Sequence, residues 1–209
     1  MTEPDVTLTD YALSVECLIF AVIIHRNKSR HVRLGRWFTI FFASICAASL
    51  FGGTVHGFFL DVDSPGHAIL WPASLLAVGL TTFAAWAIGA ELLFSDRISR
   101  FIAVAAFVEF LAYAFVVLLL TASFRIAILN YLPAVLFLLI AFTAVYRREK
   151  NRSFLIAACG LVLTFTAALF QQFELGIHRV YFNYNAVYHV LQAVALLLIF
   201  LGGRRLVAT

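Results

Sequence analysis

Residues 182–205 read FNYNAVYHVLQAVALLLIFLGGRR. From Ala186 to Leu201 only His189, Gln192 and the Tyr188 hydroxyl interrupt an apolar run, and the run closes on Arg204 and Arg205. A helix needs about 20 predominantly apolar residues to cross the hydrocarbon core of a bilayer. This stretch meets that need, and six more like it precede it. The seven fall near 8–25, 37–60, 67–94, 101–121, 125–146, 153–174 and 181–202. The runs are continuous rather than alternating and too long for barrel strands. The expected fold is therefore all-α and integral to a membrane: a bundle of seven transmembrane helices in one domain, residues 1–209.

Composition agrees. Of 209 residues, 63% are hydrophobic and 12% charged, and the mean hydropathy is +0.97. A soluble domain of this size needs far more polar surface. The charges set an orientation. Arg26, Lys28, Arg30, Arg33 and Arg36 follow helix 1, Arg97 and Arg100 follow helix 3, and Arg147, Arg148, Lys150 and Arg152 follow helix 5. With Arg204 and Arg205 they leave only Arg125 and Arg179 on the opposite side. The positive-inside rule then predicts an external N-terminus and a cytoplasmic C-terminus, which an odd number of spans requires. Net charge of +4 follows from this topology and gives no argument for nucleic acid. The acidic start MTEPDVTLTD is the reverse of a secretory n-region, so no cleavable signal is expected. Cys17, Cys46 and Cys159 all fall within helices and read as small packing residues.

His189 raises the chemical question, because an ionisable residue inside a bilayer is expensive and defaults to a functional reading. His25 and His31 belong to the basic loop. His56, His67, His178 and His189 all map toward the N-terminal side of the bundle. His56 lies near the end of helix 2, His67 opens helix 3, and His189 lies two to three turns into helix 7. Neutral imidazole is the commonest metal ligand, and a catalytic zinc takes three protein ligands with one position open. His56, His67 and His189 are thus the candidate ligands. For His178 and His67 an amphipathic interface role is the competing reading. Glu16 and Glu109 lie deep, and Tyr113, one turn beyond Glu109, is its candidate partner. Gln171, Gln172 and Glu174 add polar groups at the end of helix 6.

Seven helices, a histidine in LFGGTVHGFF (51–59, with Leu50) and another in NAVYHVLQ (185–192) resemble the superfamily of alkaline ceramidases and progestin/adiponectin-type receptors. That resemblance implies a metal-dependent lipid amidase or related hydrolase, its zinc held by a helix 2 histidine and an H-x-x-x-H pair on helix 7. His56 matches the first position and His189 the last. Asn185 stands where the other helix 7 histidine belongs, Gly52 where a serine belongs, and His67 near the place of an aspartate. The resemblance further implies a distant bacterial branch, an inner-membrane location and a site near the periplasmic leaflet.

The expected function is a zinc-dependent membrane hydrolase acting on a lipid amide or ester, with a membrane lipid as its partner. Zinc would be bound by His56, His67 and His189. Asp61 or Glu174 would carry the proton, and Asn185, Thr54 and His178 would support the site. The alternatives are a non-enzymatic sensor or receptor-like bundle with a structural metal, and a haem or quinone protein using His56 and His189 as axial ligands. A transporter finds little support, since no matched pair of broken helices is present.

Overall fold

The apolar runs form helices because a backbone in lipid must satisfy its own N–H and C=O groups. A computed structural model of the chain describes residues 1–27, 31–178 and 182–208. Lys28, Arg30 and Arg179, part of the charge argument above, lie outside them. The helices are α1 (Pro4–Arg26), α2 (Val32–Phe58), α3 (Pro65–Leu93), α4 (Asp96–Leu119), α5 (Phe124–Glu149), α6 (Arg152–Gln172) and α7 (Tyr184–Ala208). All seven are long and apolar enough to cross a membrane. This marks an integral membrane protein. Among the described residues there is no strand, only one antiparallel bridge between His178 and Phe182.

The ends are set by local chemistry. Ser64 caps α3 by accepting from the His67 backbone N–H, and Pro65 follows at the first helical position. Glu174 terminates α6 in the left-handed conformation at φ 54°. Leu175 N–H reaches back to the Phe170 carbonyl and Glu174 N–H to that of Gln171, the hydrogen-bond pair of a Schellman ending. Asn183 caps α7 by accepting from Asn185 and Ala186 N–H. Helices α3 and α5 run on through Pro72 and Pro133. Three boundaries differ usefully from the hydropathy reading. Helix α1 begins at Pro4, not near residue 8, because its polar first turns dilute the apolar signal. Helix α7 begins at Tyr184 rather than 181, and it continues beyond 202.

Helices α1, α2, α3, α5, α6 and α7 close a ring in that order, and α4 packs outside it against α3. In α4 17% of the apolar stretch is buried, against 56% in α7, so α4 is the peripheral helix. Its anchor is Tyr113, whose hydroxyl donates to the Leu75 carbonyl at 2.9 Å. Tyr113 is therefore not the partner of Glu109, which stands beside the Trp86 indole on α3.

Helices α1 and α2 pack closely at the end that carries the site. A Cβ at Gly53 would come within 2.7 Å of Asp10 Cβ, and one at Gly57 within 3.0 Å of Thr7 Cγ2. These glycines, four apart, let the two backbones approach as small residues do throughout membrane bundles. Below this contact lies a phenylalanine core. Phe20 and Phe200 stack at 4.1 Å between centroids, and Phe42 meets them edge-on at 5.4 and 6.1 Å.

Candidate metal centre at the junction of α1, α2 and α7

The buried face of α1 carries Val6, Asp10, Leu13, Cys17, Phe20 and Ile24, spaced alternately four and three residues apart. That spacing keeps one stripe turned inward. Asp10 therefore points into the bundle with the core residues and is only 5% exposed. It stands six residues inside the helix, about 9 Å at 1.5 Å per residue. His189 is five residues into α7, about 8 Å deep by the same rise, shallower than a start at 181 implied. His56 lies two residues from the end of α2. The glycine contact draws α1 and α2 together at this level.

Asp10 Oδ1 lies 3.3 Å from His189 Nε2, with the Asp10 side chain buried and that of His189 12% exposed. The other ring nitrogen, Nδ1, is 3.1 Å from the Thr9 hydroxyl. That hydroxyl has its own acceptors in the carbonyls of Asp5 and Val6, at 2.8 and 3.0 Å. Having donated its one proton, Thr9 is left to accept from His189 Nδ1–H. Thr9 as acceptor suits a proton on Nδ1, the tautomer that frees the Nε2 lone pair to share a cation with the carboxylate.

His56 is held in the same way. Its Nδ1 is 2.5 Å from Glu3 Oε2, so the carboxylate accepts and Nε2 is again the remaining nitrogen. The N-terminal segment is fastened across the end of α2. Thr2 N–H donates to the Gly57 carbonyl at 3.0 Å and Glu3 N–H to that of His56 at 3.3 Å. Asp5 joins α1 to α7 by accepting from Asn183 N–H at 3.0 Å. His56, Asp5, Asp10 and His189 thus stand toward one end of three neighbouring helices.

Gly52 gains meaning here. A Cβ at that position would lie 3.7 Å from Asp10 Oδ2 and 3.5 Å from Ser74 Oγ. The space where the resemblance expects a serine is filled instead by a carboxylate from α1. The hydroxyl of Ser74 is turned to the Ala48 carbonyl.

The other expected site residues separate from this cluster. His67 Nδ1 bonds the Phe59 carbonyl at 2.9 Å, and its ring lies 6.0 Å from that of Trp71. No hydrogen bond or ion pair joins it to His56 or His189 among the described residues. Asp61 is exposed and accepts from Asp63 N–H within its own turn. Glu174 is exposed in the left-handed ending of α6. Thr54 donates to the Leu50 carbonyl and accepts from Tyr11, on a face away from the histidines. His178 pairs with Phe182 through both backbone bonds of the bridge. Asn185 is half-buried in the first turn of α7. Of the expected set, His56 and His189 share a region, and Asp10, Glu3 and Thr9 are the partners that sequence reasoning missed. The signal for Asp10 was present, since it falls in register with Val6, Leu13, Cys17 and Phe20.

The residues can be tested against a metal. Among the described residues, no group of three or more His, Cys, Asp or Glu side chains stands close enough to form a ready-made cage. The pair itself has the right dimensions. Two donors on one tetrahedral zinc at about 2.0–2.1 Å stand about 3.3 Å apart. A charge-assisted N–H···O⁻ bond is shorter, about 2.7–2.9 Å. The observed 3.3 Å fits the edge of a coordination tetrahedron and is also in reach of a long hydrogen bond. Both histidines also show the arrangement of metal ligands, with the second nitrogen donating to an oxygen that fixes ring and tautomer.

No curated protein and no solved structure matches the chain. Residues 6–208 match the model of a family of unknown function, DUF6962, and the chain belongs to that family.

Proposed function

We propose that the junction of α1, α2 and α7 is a divalent-metal site, of zinc by its ligand types, in a membrane hydrolase acting on a lipid amide or ester. The observation that carries this reading is the facing pair of His189 Nε2 and Asp10 Oδ1 at 3.3 Å, with Nδ1 anchored on Thr9. His56, oriented by Glu3 at the same end of α2, is the group that would have to close on this pair to complete the set, in place of His67. Bound there, zinc would polarise a carbonyl and lower the pKa of its water toward 7.

The chain's own residues then have distinct tasks. Asp10 and His189 hold the centre. Thr9 and Glu3 keep the two imidazoles in the ligating tautomer. Asp5, half-buried and tied to α7 through Asn183 N–H, is the proton carrier, a task for which Asp61 and Glu174 are too remote and exposed. The positive-inside balance favours the external leaflet for this site, and the resemblance favours a bacterial inner membrane.

The test is hydrolysis of lipid amides and esters by purified protein in detergent, with and without a chelator. Turnover that is lost on chelation and restored by zinc supports the reading, while turnover indifferent to chelation contradicts it.

One observation favours a non-enzymatic bundle. The bonds of Thr2 and Glu3 across the end of α2 make the cluster a latch for the N-terminal segment, as a sensor would need. Under that reading zinc binds without turnover. The haem reading is disfavoured by the carboxylate facing His189 Nε2, which leaves that nitrogen no flat apolar slot.

A further inference from the structure

A second cleft, of about 520 Å³, lies at the same end of the bundle on the far side of α3. Its walls are the α2–α3 turn at Val62, the first turns of α3 at His67 and Trp71, and the C-terminal end of α4 with Thr121. Nothing in the first site uses these residues. We propose that this cleft binds the primary ammonium of a lipid headgroup.

The argument is one of complementarity. His67 Nδ1 faces the Phe59 carbonyl, which can only accept, so the proton sits on Nδ1 and Nε2 is an acceptor. Trp71 Nε1–H is spent on the Ala122 carbonyl at 2.8 Å. That bond fixes the indole, which packs against the rings of His67 and Phe124 and lines the cleft with its remaining surface. The last carbonyls of a helix have no partner within it. Those of α4 give this wall the negative end of the helix dipole. Leu120 and Thr121 N–H both turn back to the Val116 carbonyl and so leave the later carbonyls unpaired by them. Asp61 and Asp63 flank Val62 and are exposed. The cleft thus presents acceptors, an aromatic face and nearby carboxylates, with no cationic side chain in its lining. A donor cation is the ligand that satisfies all three, and aromatic faces favour such ions.

A lipid, rather than a free amine, is indicated by the rim. Leu118, Leu119 and Leu120 are 58–69% exposed there, at the level where a helix end meets headgroups. A glycerol backbone and chain starts would cover them, which a small soluble amine cannot do.

The experiment is native mass spectrometry of the full chain exchanged into mixed phosphatidylethanolamine and phosphatidylglycerol. Retention of the ethanolamine lipid is expected to exceed that of the glycerol lipid by about fivefold. The preference should fall to parity in His67→Phe, which keeps an aromatic ring and removes the acceptor. Trp71→Leu should lower it too, and His67→Phe covers the case in which loss of the Ala122 bond prevents folding. Free ethanolamine at millimolar concentration should not displace the lipid. Equal retention in the wild type, or a preference unchanged in both variants, would overturn the proposal. Displacement by free ethanolamine would overturn the lipid assignment.

Discussion

The helices α1 and α7 meet twice, and the two meetings have opposite chemistry. Near the N-terminal end Thr9 and Asp10 face His189. Eleven residues deeper on both helices, Phe20 lies flat on Phe200. The register is the same, and so is the buried stripe. Geometry therefore did not make the upper contact polar, because the fold offers the same inward position at both levels. The lower pair is what this seam holds when only packing is required. The upper pair places a carboxylate against an imidazole in a bilayer, where unpaired polar groups are costly. A packing account has no use for it.

The comparison can be broken by substitution, judged first by zinc affinity. Asp10→Ala should weaken zinc binding by about a hundredfold or more, the share of one ligand in a typical site. Isothermal titration on detergent-purified protein reads this directly. Binding within a factor of two of wild type would remove Asp10 from the centre. Glu3→Gln keeps an acceptor beside His56 and loses the charge. About a tenfold loss of affinity is expected, as for other groups that orient metal ligands, with metal stoichiometry unchanged.

Gly53→Ala tests the approach that brings the helices together. Its methyl would meet Asp10 Cβ at 2.7 Å, so α1 must shift. A stability loss of about 1–3 kcal/mol is expected from overpacking, with a several-fold loss of zinc affinity. A thermal shift assay and the same titration separate the two effects. Phe200→Ala should do nothing to zinc affinity, yet cost about 3–5 kcal/mol of stability through the cavity it leaves. An equal change in both quantities would mean that the two levels are not independent.

Much of the fold was legible in the sequence, since seven apolar runs and their flanking charges need no tertiary information. The site was legible only in part. His56 and His189 stand out because an imidazole is conspicuous in an apolar run. Asp10 does not, because the threonines and acids of its first two turns lower the local hydropathy and leave it at the very edge of a run that begins near residue 8. Two residues from that start, Asp10 had almost no depth. Read at its spacing from Leu13, Cys17 and Phe20, it belongs to the core face. His67 went the other way. It has the residue type and nearly the right level, but its place on α3 ties it to the Phe59 carbonyl and Trp71. Which face a residue takes at a helix entry depends on the turn before it, and the cap by Ser64 is not visible in hydropathy. Glu174 shows a third limit, for nothing in FQQFELG reveals that it closes a helix in the left-handed conformation usually left to glycine.

The central claim is that His189 and Asp10 share a metal ion rather than a proton. The most direct measurement is zinc content by mass spectrometry together with the X-ray absorption edge of the bound metal, on wild type, Asp10→Ala and His189→Ala. The account predicts about one zinc per chain in the wild type, a first shell of nitrogen and oxygen at about 2.0–2.1 Å, and loss of the metal in both variants. A folded wild type that takes up no zinc, or zinc retained in full by both variants, would contradict it.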